Sequence, residues 1–473
     1  KWVAPSTAAV IEVISPNTEE VVATVAEARE ADMDAAVAAA RRAFDEGPWP
    51  RKSPQERAAA LRALADALAR REAELCAAWT QQMGGLASMA PFIIPQGTKA
   101  FTDYAALAET FEFETEVPTN VSPVGYVVRE PVGVVAAIAP WNVPYAIMAN
   151  KVAPALLAGC TVIMKPAPET PLEAYIIAEC AEEIGLPEGV INLVPAHREA
   201  ADHLVRNRGV DKVAFTGSTA AGRRIASVCG ERIARYTLEL GGKSAAIVLE
   251  GFPVERTADV LTQTIITMSG QVCATLSRAL VPAARHDEIA AAVAAAMQQV
   301  RVGHSTDPET QMGPLAMKRQ LERVERYIEQ GKAEGATLVA GGRRPAHLRK
   351  GYFIEPTLFA GVDNRSTIAQ EEIFGPVLAL IPYRDEADAV RLANDTIYGL
   401  NGAVLTDDPT AAWRIARQVR SGCFAQNGLK ADFNLPFGGF KQSGYGREGG
   451  AEGLMGYLET KTMLFDARPG PRN

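Results

Sequence analysis

The stretch 269–278, SGQVCATLSR, sets one cysteine, Cys273, among small and weakly polar residues with no histidine beside it. A thiol attacks a carbonyl as its thiolate, and an ordinary cysteine, with a pKa of about 8.5, is mostly protonated at neutral pH. Taken alone, the stretch favours a buried structural cysteine over a nucleophile. Two other stretches alter that balance. In YTLELGGKS (236–244), a carboxylate, Glu239, lies inside an apolar strand pattern that runs into two glycines. Burial there raises a carboxyl group toward the range of a general base, unless an ion pair claims it. In APWNVPY (139–145), an apolar strand ends on Pro140, Trp141 and Asn142. The Asn142 amide either donates to a developing oxyanion or serves as a turn or cap residue.

Glycine patterns test for a dinucleotide site. GYGREG (444–449) is the one literal G-x-G-x-x-G, but it follows PFGGFKQS, not a strand, and too few residues remain to complete a βαβ unit. It reads as a glycine-rich turn or loop near an active-site or subunit surface. AFTGSTAAGRRIA (214–226) is the better candidate. A strand ends at Phe215, Gly217 and Ser218 make the turn, and a helix starts near Thr219. Free N–H groups at a helix start favour a phosphate. Gly217 lets backbone approach a ligand and Gly222 lets the helix pack closely; a tight turn without a ligand is the alternative. TVIMKPAPETP (161–171) puts Lys165 at the carboxyl end of another strand, able to reach a ribose, a 2′-phosphate or simply solvent.

The elements that position these groups alternate. Between 133 and 250, the strand patterns GVVAAIA, TVIMK, VINLV, KVAFTG and SAAIVLE are separated by helical stretches at 145–157, 172–184, 200–207 and 220–229. Short, continuously apolar strands with helices between them predict a parallel sheet covered on both faces, with ligands beyond the carboxyl ends of its strands. A second alternation runs from 254 to 439, with helices near 258–268, 288–300 and 318–335 and the strands RALVP and PVLALIPY. The first hundred residues are mostly helical: 33–44 after the cap Asp32, then SPQER (53–57), which supplies a cap serine, a proline at the first helical position and Glu56 for a capping box, with a helix to Trp79. VPTNVSPVGYVVREPVGVV (117–135) predicts two strands and a hairpin, and GYLETKTMLF (456–465) one more strand. A subunit interface is one way to partner such strands.

The chain's 473 residues imply two or three domains. A net charge of −8 without a basic block argues against nucleic acid. The most apolar region, 143–164, is interrupted by Lys151 and Pro154, so no membrane span is expected. The start, KWVAPSTAAVIEVISP, lacks the layout of a secretory signal. Six cysteines are scattered without a C-x-x-C pair, which suits a reducing cytoplasm, and five histidines never fall at ligand spacing, which argues against a metal site.

Eight motifs occur in one order along nearly the whole chain: EPVGVVAAIAPWN, KPAPETP, FTGSTAAG, LELGGKS, GQVC, EEIFGPV, NDTIYGL and PFGGFKQSGYGRE. Together they resemble the aldehyde dehydrogenase superfamily. The resemblance implies an α/β fold of two doubly wound parallel-type sheets, one for the cofactor and one catalytic, plus a small β oligomerisation arm. It implies a dinucleotide-binding domain of 1–116 and 132–241, a catalytic domain of 242–443, and an arm of 117–131 and 444–473. It also implies oxidation of an aldehyde to a carboxylic acid with NAD(P)+ and no metal. Cys273 is then the nucleophile, Glu239 the base that activates water, Asn142 and the Cys273 backbone N–H the oxyanion hole, and Lys151 a residue near the proton path. Cofactor contacts are implied at Ile138, Pro140, Trp141, Lys165, Ala167, Pro168, Gly217, Ser218, Gly222, Leu240, Gly241, Glu372 and Phe374.

Coenzyme A-acylating relatives typically lack a carboxylate at the position of Glu239, so hydrolysis is the expected outcome; an acylating enzyme or an inactive structural relative are the alternatives. Pro168, followed by Glu169, stands where many NAD-preferring relatives carry an acidic residue. NAD is therefore expected, with weakened discrimination against NADP. The partners expected are a small aldehyde and further copies of the chain, as a cytoplasmic dimer or tetramer. Residues 145–148, the flanks of Cys273 and the loop CFAQNGLKADF (423–433), with Phe424 and Phe433, are expected to line the entrance and to fit an apolar or aromatic aldehyde.

Overall fold

The computed structural model describes residues 1–432 and 434–470; Phe433 lies outside them. The chain opens on an antiparallel hairpin, β1 (Val10–Ile14) and β2 (Val21–Ala26). The sequence reading did not anticipate it. Helices α1 (Glu30–Asp45) and α2 (Pro54–Arg70) follow. The capping box at α2 forms as its spacing requires: Glu56 N donates to Ser53 Oγ at 3.2 Å, and Ser53 N to Glu56 Oε2 at 2.7 Å. Ser53→Ala is expected to cost about 1 kcal/mol in a denaturant titration. The helix expected to continue to Trp79 instead stops and restarts as α3 (Glu72–Met83). At Arg71 the backbone turns to φ −104°, ψ 16°, while its guanidinium binds Glu74 and Glu179 and pins the junction. α4 (Ala90–Leu107) completes the helical region.

β3 (Glu114–Val117) and β4 (Val124–Pro131) form a hairpin, but its first strand lies almost wholly ahead of the 117–135 stretch expected to hold both. The cofactor-type sheet comes next: β5 (Val134–Ile138), β6 (Thr161–Lys165), β7 (Ile191–Leu193), β8 (Lys212–Thr216) and β9 (Arg235–Glu239), linked by α5 (Pro144–Ala158), α6 (Leu172–Glu183), α7 (Arg198–Arg206) and α8 (Thr219–Arg232). The five strands are parallel, in the order β9-β8-β5-β6-β7, so the winding reverses at β5. Every residue of β5 is buried. Val135 and Ala137 enter the core on one face, and Val134, Ala136 and Ile138 the core on the other. That is why the strand reads as one unbroken apolar run.

The strand SAAIVLE does not continue this sheet. As β10 (Ser244–Val248) it starts the second, with β11 (Leu276–Pro282), β12 (Thr337–Ala340), β13 (Thr357–Ala360), β14 (Val377–Tyr383), β15 (Gly402–Leu405) and β16 (Ala425–Gln426). The order is β12-β13-β14-β11-β10-β15-β16, parallel throughout except for β12. The segment 240–243 thus crosses between the two sheets. Of the C-terminal stretch, β17 (Gly444–Tyr445) pairs antiparallel with β9 and extends the first sheet, and the short helix Gly450–Met455 packs on α4 and α5. Only β18 (Leu458–Phe465) joins β4 and β3, in a three-stranded antiparallel sheet. Among the described residues, no helix is long and apolar enough to cross a membrane, and no group of three His, Cys, Asp or Glu side chains could hold a metal ion.

Candidate active site

Four parallel strands end at one rim. Their register sets Ile138 beside both Lys165 and Phe215, and Thr216 beside Glu239. The chain leaving those ends builds a crevice where the winding reverses, the usual ligand position in such sheets. Past β5 come Pro140 and Trp141, both partly exposed. Past β6 come Ala167, whose carbonyl accepts from Thr170 N in a turn at 3.2 Å, and the partly exposed Pro168. Lys165 is buried, and burial lowers its amine to about 8. Past β8, Gly217 N donates to Glu239 O at 3.0 Å, and Ser218 caps α8, its hydroxyl accepting from Ala221 N at 3.3 Å. Gly222 sits where a Cβ would lie 2.5 Å from the Leu240 side chain, so glycine lets α8 close onto the segment that leaves β9.

That segment, Leu240 and Gly241, leads to Gly242, whose N–H donates to Glu372 Oε1 at 3.0 Å. Burial pushes the Glu372 carboxyl up to about 7. Phe374, two residues on, has φ +62°, a left-handed value uncommon for a bulky side chain, and meets Trp141 edge-to-face at 5.3 Å.

Cys273 lies at the end of a strained approach. Met268, Ser269 and Gly270 take φ values of 49°, 57° and 72° in succession. Ser269 Oγ donates to Gly313 O at 2.8 Å. Gln271, fully buried, locks the turn: Nε2 donates to Met268 O and Oε1 accepts from Ala316 N, both at 2.9 Å. Asn142 Nδ2 donates to Gln271 O at 2.9 Å, which holds this amide two residues from the cysteine. On the other side, Asn401 Nδ2 donates to Ala274 O at 3.0 Å. A Cβ on Gly242 would lie 2.4 Å from Cys273 O, so the sheet-to-sheet crossing presses against the cysteine backbone. Burial pushes the Cys273 thiol up to about 12, and the charges of Glu372 and Glu239 add to this.

Glu239 is 3% exposed, and neither carboxylate oxygen has a hydrogen-bond partner among the described residues. Burial holds its carboxyl well above the usual range; Glu448 raises it further, while Lys151 and Arg447 oppose. Lys151 is fully buried. Its Nζ donates to Thr216 Oγ1 at 2.7 Å and forms an ion pair with Glu448. Glu448 is the site residue that sequence reasoning missed. It belongs to GYGREG, the glycine pattern rejected as a cofactor loop, and paired backbone bonds with Phe437 hold it in place at 2.7 and 2.8 Å. The one available signal was Lys151 in an apolar helix, which needs a counter-charge when buried.

The structure therefore gathers Cys273, Asn142, Glu239, Lys151 and Glu372 around the crevice. It does not bring Phe424 there. That ring packs into the core of the second sheet, against Gly402. The apolar residues clustered with Cys273 are Val272, Ala274, Leu400, Cys423, Leu429 and Phe437. Tyr145 and Met148 are core residues, with the Tyr145 hydroxyl bonded to Thr98 Oγ1 at 2.7 Å.

The description "Aldehyde dehydrogenase family" fits the family model that matches residues 2–463. The geranial dehydrogenase of Castellaniella defragrans is 44% identical over 470 residues, covering 98% of this chain and 97% of its own length. A 3-succinoylsemialdehyde-pyridine dehydrogenase of a Pseudomonas species is 41% identical over 468 residues, covering 98% and 97%. Among solved structures, a Mycobacterium tuberculosis aldehyde dehydrogenase complexed with NAD+ superposes with a TM-score of 0.96 at 46% identity, covering 98% of this chain and 96% of that one. Matched by the family model from residue 2 to 463 and by relatives over 40% identical along nearly its whole length, the chain belongs to the aldehyde dehydrogenase family.

Proposed function

We propose that this enzyme oxidises an aldehyde to the carboxylic acid with NAD+, through a thioester on Cys273 that Glu239-activated water hydrolyses. The crevice suits the cofactor. The Ser218 end of α8 is exposed and offers free N–H groups to a diphosphate, Lys165 stands at the β6 end for a ribose, and Trp141, Glu372 and Phe374 lie toward the cysteine. When bound, NAD+ supplies the acceptor for the hydride that leaves the substrate carbon.

The residues divide the remaining work. The Cys273 thiol is protonated at rest, and Glu239, with both oxygens unpartnered, receives its proton. Sγ then bonds to the carbonyl carbon. The oxyanion faces the Cys273 N–H and the second N–H of Asn142, whose first is taken by Gln271 O. Losing one such donor typically costs about 2.7–4 kcal/mol of barrier. After oxidation Glu239 gives up that first proton to solvent, then draws one from the water that attacks the thioester and passes it to the departing sulfur, which frees the acid and restores the thiol. Lys151 and Glu448 set the charge beside that carboxylate. The observation that carries this reading is the buried, unpartnered Glu239 acting on Cys273, with Asn142 anchored two residues away. Glu239 also favours hydrolysis over transfer to coenzyme A.

An aldehyde panel followed by reduced-cofactor absorbance tests the reading, and absence of any turnover would sink it. Glu169 is ion-paired with Arg319 at 2.5 Å, and Pro168 occupies the preceding position. We therefore expect NAD+ to give the higher kcat/KM and NADP+ to remain usable; a large NADP+ preference contradicts this. The separate sheets support a division into a cofactor domain, a catalytic domain and an arm, to which β18 contributes the C-terminal strand. Homo-oligomer formation through the arm, as a dimer or tetramer, is supported by exposed Leu464 and Phe465 on β18. Six free cysteines support a cytoplasmic setting.

A further inference from the structure

We propose that Asn401 is a positioning residue for the nucleophile: its amide fixes the turn around Cys273, so that the backbone N–H of Ala274, beside that of Cys273 itself, stays directed at Sγ. The inference rests on the reading of Cys273 as nucleophile and adds a residue to it. Val272, Cys273, Ala274 and Thr275 form one turn, closed by Thr275 N donating to Val272 O at 3.0 Å. Two buried amides hold its flanks. Asn142, past β5 of the first sheet, donates to Gln271 O at 2.9 Å, and Asn401, ahead of β15 of the second, donates to Ala274 O at 3.0 Å. The peptide between Ala274 and Thr275 is thus bonded at both ends, its N–H to Val272 and its C=O to Asn401.

Asn401 is 4% exposed, and its Oδ1 has no hydrogen-bond partner among the described residues. Burying an amide with an unmet oxygen is costly, and packing alone calls for an apolar side chain beside the buried Leu400. The bond to Ala274 is what distinguishes asparagine here. Its base is rigid. Gly402 lies beside Ala245 of β10, Cys423 N donates to Leu400 O at 2.9 Å, and Gly402 N donates to Cys423 O at 3.1 Å. The titratable groups around the thiol are Glu372, from the loop before β14, Glu239, at the end of β9, and Cys423, which shares its apolar cluster. Burial, then Glu372 and Glu239, push the thiol up; the Ala274 and Cys273 N–H groups act the other way, because hydrogen bonds to the charged form favour it. Without Asn401, the peptide after Ala274 keeps only the turn-closing bond, and the Ala274 N–H is free to rotate off Sγ.

The test is alkylation of Cys273 by iodoacetamide across pH, read at that residue by peptide mass spectrometry, in the wild type, Asn401→Ala and the space-filling Asn401→Leu, with thermal melts alongside. Removing the donor should lower the rate at neutral pH by roughly tenfold and move the midpoint of the profile upward by about one pH unit. Single-turnover hydride transfer from an aldehyde should slow by a similar factor, while NAD+ affinity stays within about twofold. A merely structural residue would lower the melting temperature and leave the alkylation profile where it was. An unchanged profile in whichever variant folds, or failure of both to fold, overturns the inference. Alkylation needs no substrate, so it tests Asn401 independently of turnover; a wild type that oxidises no aldehyde overturns the reading beneath instead.

Discussion

Cys273→Ala is expected to reduce aldehyde turnover by roughly 10⁴-fold or more while leaving NAD+ affinity within a few-fold of wild type. The asymmetry follows from the architecture. The cofactor crevice is built by the ends of β5, β6, β8 and β9 and by the start of α8, none of which depends on the thiol. The cysteine arrives separately, on the turn locked by Gln271. Removing Sγ leaves that turn's hydrogen bonds in place and deletes the only atom proposed to bond to substrate. Equilibrium dialysis with NAD+ and steady-state assays measure the two halves independently. Turnover within tenfold of wild type would remove Cys273 from the role of nucleophile.

Glu239→Gln is expected to separate the two halves of the reaction. The amide keeps the shape of the carboxyl group but cannot take a proton from water, so deacylation should slow by roughly 10²–10⁴-fold, and a burst of reduced cofactor should precede a slow steady state. An unchanged steady-state rate without a burst would exclude Glu239 as the base. The pH dependence has a definite sign. Because burial holds the Glu239 carboxyl above its usual range, its basic form accumulates only as pH rises through that raised pKa. Wild-type deacylation should climb with pH over that interval, and the Glu239→Gln variant should lack the climb. Stability runs the other way: a carboxyl whose folded pKa exceeds its unfolded one favours folding below the unfolded pKa and loses that contribution as pH rises through the folded pKa. Thermal melts should therefore show the wild type losing ground to the Glu239→Gln variant on the alkaline side.

What was legible in the sequence was local. The cap at Ser53, Pro54 and Glu56 is read within one turn of chain, and its two bonds form as spaced. β5, β6 and β8 announce themselves because a doubly covered parallel strand tolerates little but apolar side chains. Cys273, Glu239 and Asn142 stood out because each is a reactive or polar type in an apolar or turning context. Illegible features came from pairings across great sequence distance. Lys151 and Glu448 are 297 residues apart, and no local pattern selects one acid over the others as partner. β17 is two residues long and exists only because β9 offers an edge. Phe424 has the right type for a substrate entrance, but strand alternation after Cys423 turns it toward the second sheet's core.

The late arrival of β17 and Glu448 bears on biosynthesis. Cys273, Glu239, Asn142 and Lys151 all leave the ribosome before the acid that neutralises the buried lysine. A polypeptide interrupted ahead of that point would display a bare β9 edge and a buried lysine without its ion-pair partner, so the centre of the fold closes only when the C-terminal stretch carrying β17 and Glu448 arrives.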